Sequence, residues 1–247
     1  MQSLYNIGIA AYNLSLRLAV PFSHKAKLWR EGRKNLLKDI ERALAGEENL
    51  VWFHCASLGE FEQGRPLIEA HKMQFPEQKI VLTFFSPSGY QVRKKYEQAD
   101  FVFYLPIDTP SNAKRFLDIL KPRKIFFIKY EFWFNYLQEI KERKVPCYLV
   151  SGIFRKDQLF FKPYGSWAKE KLNAFSCFFV QNEESAKLLE GIGFSNYLIA
   201  GDTRFDRVWQ IAQNAKDVAM VEKFCSGAFT VIFGSYWPAE DEVAVYL

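Results

Sequence analysis

The segment from His54 to Glu60 places a hydroxyl and a carboxylate at the spacing Ser57-x-x-Glu60. In a capping box, a serine at a helix start and a glutamate three residues later satisfy free backbone N–H groups of the first turn. The same carboxylate, near the positive end of the helix dipole, also has the placement of a general base. Two interpretations of Glu60 are therefore open, a helix cap and a proton acceptor.

This turn also lacks the glycine pattern of a nucleotide site. A dinucleotide-binding turn carries G-x-G-x-x-G, which leaves the start of the following helix free for a pyrophosphate. Here Glu60 stands at that point, and its charge would repel a phosphate. We therefore expect no nucleotide at this turn.

Hydroxyl and charged side chains follow other apolar runs. The turn at 86–89, Ser-Pro-Ser-Gly, offers hydroxyls and backbone N–H groups at a helix start, which fits an anion site, a sugar site or a simple cap. Lys129 and Glu131 follow a fully apolar run beside Trp133, as site residues or as a structural ion pair. Arg204 has a guanidinium suited to bidentate binding of phosphate or carboxylate, and nearby Asp206 is a candidate helix cap.

Seven short apolar runs must position these side chains. They are Leu50–Cys55, Lys79–Phe85, Phe101–Leu105, Lys124–Lys129, Pro146–Val150, Phe175–Val180 and Tyr197–Ala200. Between them lie amphipathic stretches, among them Gly64–Phe75, Pro110–Leu120 and Phe132–Arg143. Continuous apolar strands that alternate with helices indicate a doubly wound, Rossmann-like parallel sheet of the α/β class, with ligands beyond the carboxyl ends of the strands.

The last part of the sequence predicts the start of another domain. Asp206–Phe224 reads as one long helix, and Thr230–Gly234 as a strand followed by an acidic run that opens a further helix. A lone strand and helix cannot bury their own faces, so we expect a second α/β domain that is truncated. The sequence thus divides into an N-terminal segment, a Rossmann-like domain, and a linker helix with the start of the second domain, at 1–45, 46–206 and 207–247.

Composition and charge exclude several classes of protein. Hydrophobic residues make up 49% and aromatic residues 17% of the 247 residues, which excludes a disordered chain. Residues 1–45 carry eight basic and three acidic side chains and so account for the whole net charge of +5. A uniformly basic nucleic-acid-binding protein is therefore not expected. The histidines and cysteines have no metal-ligand spacing, and we predict no metal site.

The N-terminal segment predicts association with a membrane surface. Leu4–Phe22 is apolar, but Arg17 and several neutral polar residues interrupt it, so it is a poor spanning helix. The basic stretch that follows contains Trp29. This combination favours a helix that lies in one leaflet of an anionic membrane, with a helix packed on the protein body as the alternative.

Taken in order, several segments resemble the Kdo (3-deoxy-D-manno-octulosonic acid) transferase family of lipid A biosynthesis. The segments are HCASLGE, LTFFSPSG, YLPIDTP, KPRKIFFIKYEFW, Ser151–Arg155, FFVQNEES, GDTRFD and FGSYWPAEDE. The resemblance covers the chain from Leu4 onward. It implies a two-domain GT-B glycosyltransferase fold, in which 46–206 is the acceptor-side domain and 207–247 begins the donor-side domain.

The resemblance also implies an activity. The family takes Kdo from CMP-Kdo and adds it, with inversion, to the lipid A precursor (lipid IVA) at the cytoplasmic face of the bacterial inner membrane. Its partners are then CMP-Kdo, the lipid A precursor and an anionic membrane surface, with no nucleic acid, no cofactor and no catalytic metal. Glu60 matches the family's general base, while Glu131 and Arg204 match positions implicated in transition-state stabilisation.

The remaining assignments divide between the two substrates. Acceptor contacts fall on Ser57, Gly59, Ser86, Ser88, Gly89 and Lys129, and donor contacts on Ser235 and Tyr236. Three positions depart from the family's pattern: Lys129 replaces an acidic residue, Asp202 an asparagine and Trp237 a common histidine.

Two other functions fit the same sequence. One is a membrane-associated GT-B transferase that uses another nucleotide sugar, which a preference for UDP or GDP over CMP would indicate. The other is an acceptor-binding or membrane-docking module without turnover. Because the family's nucleotide contacts lie mostly in its second domain, we expect this chain to be inactive alone.

Overall fold

The computed structural model describes residues 1–215, 217–227, 229–240 and 242, and the chain divides into two compact units, Met1–Val208 and Trp209–Leu247. The first unit contains a parallel sheet of seven strands. They are β1 (Leu50–Cys55), β2 (Lys79–Phe84), β3 (Phe101–Tyr104), β4 (Lys124–Ile128), β5 (Cys147–Gly152), β6 (Cys177–Val180) and β7 (Tyr197–Ile199). The strand order is β3-β2-β1-β4-β5-β6-β7, which confirms the doubly wound α/β sheet.

Helices precede the sheet, alternate with its strands and follow it. They are α1 (Gln2–Ala19), α2 (His24–Glu31), α3 (Leu36–Ala43), α4 (Leu58–Gln74), α5 (Pro87–Arg93), α6 (Pro110–Leu120), α7 (Phe134–Arg143), α8 (Ser166–Lys171), α9 (Glu183–Gly191), α10 (Arg204–Gln213) and α11 (Ala219–Cys225). Short 3₁₀ turns occupy Leu159–Phe161, Leu172–Ala174 and Pro238–Glu240.

Every residue of β1 is buried, because the sheet carries a hydrophobic cluster on each face. Trp52 faces one cluster, where its ring packs edge-on against Phe116 and Phe127 at centroid distances of 5.0 and 5.2 Å. Phe53 faces the other cluster and stacks on Phe126 at 4.7 Å. Burial on both faces explains why the strand is continuously apolar rather than alternating.

Side-chain caps fix where the helices begin. The hydroxyls of Ser86 and Thr109 accept backbone N–H groups at the starts of α5 and α6, as the Ser-Pro and Thr-Pro pairs predict. Ser57 caps α4 in the same way. Helix α4 therefore begins at Leu58, six residues before the predicted start at Gly64, and Glu60 lies in its first turn.

Helix α1 lies on the surface of the first unit and has no buried residue. Its contacts with the body include the Tyr5 ring, which meets Phe134 at 5.0 Å, and Gln2, which donates to the Asn135 side chain at 2.9 Å; Asn6 and Tyr12 make further contacts. Among the helices of the described residues, none is both long and apolar enough to cross a bilayer.

Asp108 joins α1 to the start of α7. Its carboxylate accepts the Tyr5 hydroxyl at 2.6 Å and the backbone N–H groups of Asn135 and Tyr136 at 3.1 and 3.0 Å. Burial raises the pKa of Asp108 to about 6, although these hydrogen bonds act in the opposite direction. One buried carboxylate thus caps α7 and holds the N-terminal helix.

Two predictions beyond residue 206 are wrong. The stretch Asp206–Phe224 does not form one helix, because α10 ends at Gln213, before Asn214, a residue of low helix propensity, and α11 begins at Ala219. Thr230–Gly234 forms no strand, since a strand needs a neighbour to hydrogen-bond with and the described residues of the second unit contain none. The further helix predicted after the acidic run lies largely outside the described residues.

Candidate active site

The sheet reverses its winding between β1 and β4. The chain passes outward from β1 through β2 to β3 and then crosses back to place β4 on the other side of β1. Parallel sheets bind ligands at such a switch point, in the crevice beyond the carboxyl ends of the two strands. Here the turns that follow β1 and β4 carry Ser57, Glu60, Lys129 and Glu131.

Glu60 is held at the start of α4 by Ser57. The Ser57 hydroxyl accepts the backbone N–H of Gly59 at 3.3 Å and donates to the Glu60 carboxylate. The first contact is a helix cap, whereas the second joins the two side chains and does not belong to a capping box. The Glu60 side chain is 12% exposed, so its carboxylate is oriented by Ser57 and still reaches the crevice.

Lys129 follows β4 in a left-handed backbone conformation, with φ of 71°. Its backbone N–H donates to the Val150 carbonyl at 2.7 Å, and its Nζ lies 3.9 Å from a carboxylate oxygen of Glu60. A non-glycine residue in this region costs on the order of 1–3 kcal/mol, and such strain concentrates at functional sites. The turn thus directs a cation towards the carboxylate on the neighbouring element.

A buried histidine lies beneath Glu131. The Trp133 indole N–H donates to His54 Nε2 at 3.1 Å, and because an indole nitrogen only donates, this ring nitrogen is the acceptor. The proton of His54 is therefore on Nδ1, which donates to the Thr83 hydroxyl at 2.9 Å. A carboxylate oxygen of Glu131 lies 3.6 Å from His54 Nε2. Trp133 thus binds the His54 ring, whereas the Glu131 carboxylate lies near the same nitrogen without a hydrogen bond from it.

Two carboxylates flank the Cys55 thiol at the end of β1. Burial raises the pKa of Cys55 well above its ordinary value, and the charges of Glu60 and Glu131 add to this effect. Glu60, Glu131 and Lys129 are therefore brought to one crevice, as the sequence suggested. Two carboxylates beside one ammonium group can accept a proton and stabilise developing positive charge.

Arg204 lies at the start of α10 and is bound to Asp202. Its Nε and Nη2 donate to one carboxylate oxygen of Asp202 at 2.9 and 2.6 Å. The other oxygen accepts an N–H of the Gln63 amide at 2.9 Å and the Arg204 backbone N–H at 3.0 Å. Asp202, rather than the predicted Asp206, therefore binds the backbone at the start of α10. Burial raises the pKa of Asp202, but the hydrogen bonds from Arg204 outweigh it and leave the pKa below its ordinary value.

The turn after β2 is built around Gly89. Ser86 accepts the backbone N–H of Ser88 at 3.3 Å, and the two hydroxyls lie 3.0 Å apart. A Cβ at position 89 would lie 2.2 Å from the Phe84 ring, so the residue must be glycine for α5 to pack against β2. Ser86 and Ser88 are exposed or half-buried at this edge, and their contact with an acceptor stays a prediction.

The two residues predicted to contact the donor belong to the second unit. The ring of Tyr236 meets Phe233 at 5.3 Å, and Ser235 has a φ of 59°. Their role also stays a prediction. In the part of the chain that the structure describes, no three His, Cys, Asp or Glu side chains are grouped so that they could hold a metal ion.

Sequence reasoning did not find His54 or Gln63 as site residues. Both are buried polar side chains, at 0% and 1% exposure, His54 in the largely apolar strand β1 and Gln63 in the amphipathic helix α4. His54 is a polar residue next to the end of an apolar strand, and Gln63 stands one helical turn after Glu60. The position of His54 could have identified it as a site residue, because a buried polar group at a strand end requires specific hydrogen-bond partners.

Comparison with known proteins gives a consistent result. The sequence profile of a family described as 3-Deoxy-D-manno-octulosonic-acid transferase (kdotransferase) matches residues 29–207. A 3-deoxy-D-manno-octulosonic acid transferase of Aquifex aeolicus is 26% identical, over 82% of this chain and 51% of that protein. One of Rickettsia bellii is 25% identical, over 86% of this chain and 52% of that protein. The chain thus spans about half the length of these curated relatives.

Solved structures with a similar fold are UDP-N-acetylglucosamine 2-epimerases. The enzyme of Neisseria meningitidis, bound to UDP-GlcNAc, superposes with a TM-score of 0.50 at 16% identity and covers 71% of this chain and 52% of its own. A second UDP-N-acetylglucosamine 2-epimerase has a TM-score of 0.51 at 12% identity, with the same coverage. At this identity the likeness concerns the fold alone, and it confirms the GT-B type expected.

Proposed function

Because the chain belongs to the 3-deoxy-D-manno-octulosonic acid (Kdo) transferase family, we propose that it forms the acceptor-side half of an enzyme that transfers Kdo from CMP-Kdo to the lipid A precursor. The observation that carries the proposal is the position of Glu60. Its carboxylate lies at the switch-point crevice, next to Lys129 and away from any glycine-rich phosphate turn.

Glu60 is the general base of the proposed reaction. As the oxygen of the acceptor's primary hydroxyl bonds to the anomeric carbon of Kdo, Glu60 takes the hydroxyl proton. The bond from the anomeric carbon to the phosphate oxygen of CMP breaks, its electron pair leaves with CMP, and the configuration inverts. The Ser57 hydroxyl, which donates to the Glu60 carboxylate, supports this role because it fixes the direction of the base.

The charged neighbours of Glu60 have separate roles in the proposal. Lys129 orients Glu60 and binds the acceptor's polar groups. Glu131, whose carboxylate lies beside the His54 ring, stabilises the positive charge that develops on the sugar in the transition state. Arg204, whose side chain is 59% exposed, offers its remaining N–H groups to the anionic donor while Asp202 fixes its orientation.

The acceptor's acyl chains stay in the membrane in this proposal. Helix α1 presents an exposed apolar stripe on one face, formed by Leu4, Ile7, Leu14 and Leu18, each of which is more than half exposed. The spacing of these residues places them on one side of the helix. The stripe would lie in one leaflet, at the cytoplasmic face of the inner membrane, and let the acceptor's sugar reach the crevice.

The test is a transfer assay with the full-length protein, CMP-Kdo and purified lipid A precursor. We expect one CMP released for each Kdo found on the lipid. UDP- and GDP-linked sugars serve as matched donors. Turnover with one of them and none with CMP-Kdo would point to another GT-B transferase, and binding of the precursor without turnover would point to an acceptor-binding module.

A further inference from the structure

A cavity of about 600 Å³, whose lining includes neither Glu60 nor Lys129 nor Glu131, lies between the first two helices. We call it the N-terminal cavity. Its wall is formed by α1, α2, the residues that follow α2, and Ile107 after β3, and its charged lining consists of Arg17, Lys27, Arg30, Arg33, Lys34 and Glu31. Five cations face one carboxylate, at a volume within the range of ligand sites.

The cations of the N-terminal cavity have no carboxylate partner. Among the ion pairs that the described residues form, none involves any of the five. Elsewhere on the surface some basic residues, such as Arg115 and Lys141, pair with a carboxylate, and others form no ion pair, so the five are distinguished by their grouping around one cavity. A group of unpaired cations around a concave surface attracts an anion.

Trp29 supplies a second and independent signal. It lines the N-terminal cavity and is only 5% exposed, yet its indole N–H is buried without a hydrogen-bond partner in the described structure. A buried donor left unpaired costs about 1–3 kcal/mol, so such groups are rare unless a ligand or water satisfies them. The indole nitrogen has almost no accessible surface, so an anionic oxygen in the cavity would satisfy this N–H once the side chains that cover it move aside.

Arg33 connects the wall of the N-terminal cavity to the sheet through hydrogen bonds. Its guanidinium donates to the backbone carbonyls of Trp29, Phe85 and Leu105 at 3.3, 2.8 and 3.0 Å and lies 4.2 Å from the centre of the Trp29 ring. Burial lowers the pKa of Arg33 to about 9, which leaves it charged at neutral pH. A cation is thus fixed between α2 and the carboxyl ends of β2 and β3.

We propose that the N-terminal cavity binds a phosphate ester carried by a lipid. The phosphate follows from the unpaired cations and the unsatisfied Trp29 N–H, since phosphate oxygens accept charge-assisted hydrogen bonds from several donors at once. That a lipid carries it rests on the proposed function and on the exposed apolar stripe of α1, the helix that forms one wall of the cavity. The source is a phosphate of the acceptor or an anionic phospholipid headgroup.

The experiment follows the indole N–H resonance of Trp29 in the ¹⁵N-labelled chain, assigned by its loss in Trp29→Phe. The chain is titrated in maltoside micelles with phosphatidylglycerol, lipid A precursor, dephosphorylated precursor or inorganic phosphate. We expect the resonance to shift with a phosphate-bearing lipid and to stay in place with the dephosphorylated precursor. A shift with the precursor alone identifies the acceptor as the source, and a shift with phosphatidylglycerol identifies the headgroup.

Two pairs of substitutions distinguish binding in the N-terminal cavity from a general electrostatic attraction of the basic segment to anionic lipid. We expect Arg30→Gln with Lys34→Gln to weaken binding of the lipid probe at least about tenfold. The control, Lys25→Gln with Arg42→Gln, removes the same charge from the same segment outside the cavity and should change binding by no more than about twofold.

Three results would overturn the inference: no Trp29 shift with either phospholipid or precursor, equal weakening in both variant pairs, or inorganic phosphate that binds as tightly as the lipids. The titration needs neither donor nor turnover. A positive titration without transfer therefore counts against the proposed function alone, and transfer without a Trp29 shift counts against this inference alone.

Discussion

Lys129 Nζ lies 3.9 Å from a carboxylate oxygen of Glu60, although the two residues belong to turns after different strands. The pairing of β1 with β4 brings these turns together, and the left-handed backbone at Lys129 directs its side chain. Neither charge therefore stands alone in the crevice, and an acceptor hydroxyl that enters it meets a carboxylate already oriented by Ser57 and Lys129.

The substitution Glu60→Gln distinguishes a role of Glu60 as general base from a purely structural role at the start of α4. Glutamine is nearly isosteric and can still accept the Ser57 hydroxyl proton in a hydrogen bond, but it cannot take the acceptor's proton. We expect a near-native melting temperature, retained binding of the precursor and turnover lowered by at least ~10²-fold. Thermal unfolding, precursor binding and the transfer assay are measured on the same full-length preparation.

Glu97→Gln is the matched control for this prediction, because Glu97 is an exposed carboxylate before β3, at the opposite edge of the sheet. It should leave turnover unchanged. Wild-type turnover in Glu60→Gln would leave Glu60 only its structural contact with Ser57 and shift the proposed base to Glu131.

Backbone strain at position 129 predicts an unusual order of stability. Both Lys129→Gly and Lys129→Ala remove the cation, but only glycine adopts a φ of 71° without strain. We expect the free energy of unfolding of Lys129→Gly to exceed that of Lys129→Ala by about 1 kcal/mol in urea denaturation. At Lys94, where φ is −60°, the same pair should show the reverse order. Alanine as the more stable variant at 129 would contradict the left-handed conformation.

Asp108 predicts a stability that falls as the pH rises. Its pKa is about 6 in the folded chain and 3.8 as the ordinary value, so the folded state holds the proton more tightly. The contribution is full below about pH 4 and is lost as the pH passes about 6, with a total on the order of 2–3 kcal/mol.

The measurement compares urea unfolding of the wild type and Asp108→Asn between pH 4 and 7. Asparagine cannot accept all the hydrogen bonds that hold Tyr5, so the variant is less stable overall, but the difference between the two curves should shrink with rising pH. Parallel curves would show that Asp108 does not titrate in this range.

The stripe on α1 predicts salt-sensitive binding to anionic vesicles. Ile7→Ser, Leu14→Ser and Leu18→Ser together remove apolar area that faces solvent in the structure, so they should weaken co-sedimentation without lowering the melting temperature. The basic residues beside the stripe should make the wild type's binding weaken as salt rises.

Substitutions test the stripe more cleanly than a deletion of residues 1–22, because the deletion would also remove Tyr5 and uncover Phe134. Met73→Ser with Val92→Ser is the control, since both side chains are exposed on other parts of the surface. Vesicle binding unchanged by the triple substitution would refute the role of the stripe.

Local patterns predict the sheet and most of the crevice. Continuous apolar runs mark the strands, and parallel winding places their carboxyl ends at one edge, which is enough to group Glu60 with Lys129 and Glu131. Three helix starts are also predictable from the sequence, because a capping side chain binds backbone groups within one turn. The capping residues are Ser57, Ser86 and Thr109.

Long-range polar contacts are beyond such patterns. The neutral His54 depends on Thr83 and Trp133, and the tie between α1 and α7 depends on Asp108, all distant in sequence. Periodicity reports which face of an element is apolar, but it does not report which buried polar groups find one another.

The predicted helix Asp206–Phe224 failed for a related reason. Its apolar periodicity continues past Gln213, where α10 ends, because periodicity does not report where backbone hydrogen bonding stops.

The strand order has a consequence for how the protein folds. As the chain is synthesised, β1, β2 and β3 can pair as soon as residue 104 is available, because they are neighbours in both chain and sheet. Strand β4 must then close a long loop to reach β1, and such non-local pairing is slow. Glu60 therefore comes close to Lys129 only in this later step. The turn after β1 forms first, and the crevice is complete only when the turn after β4 has joined it.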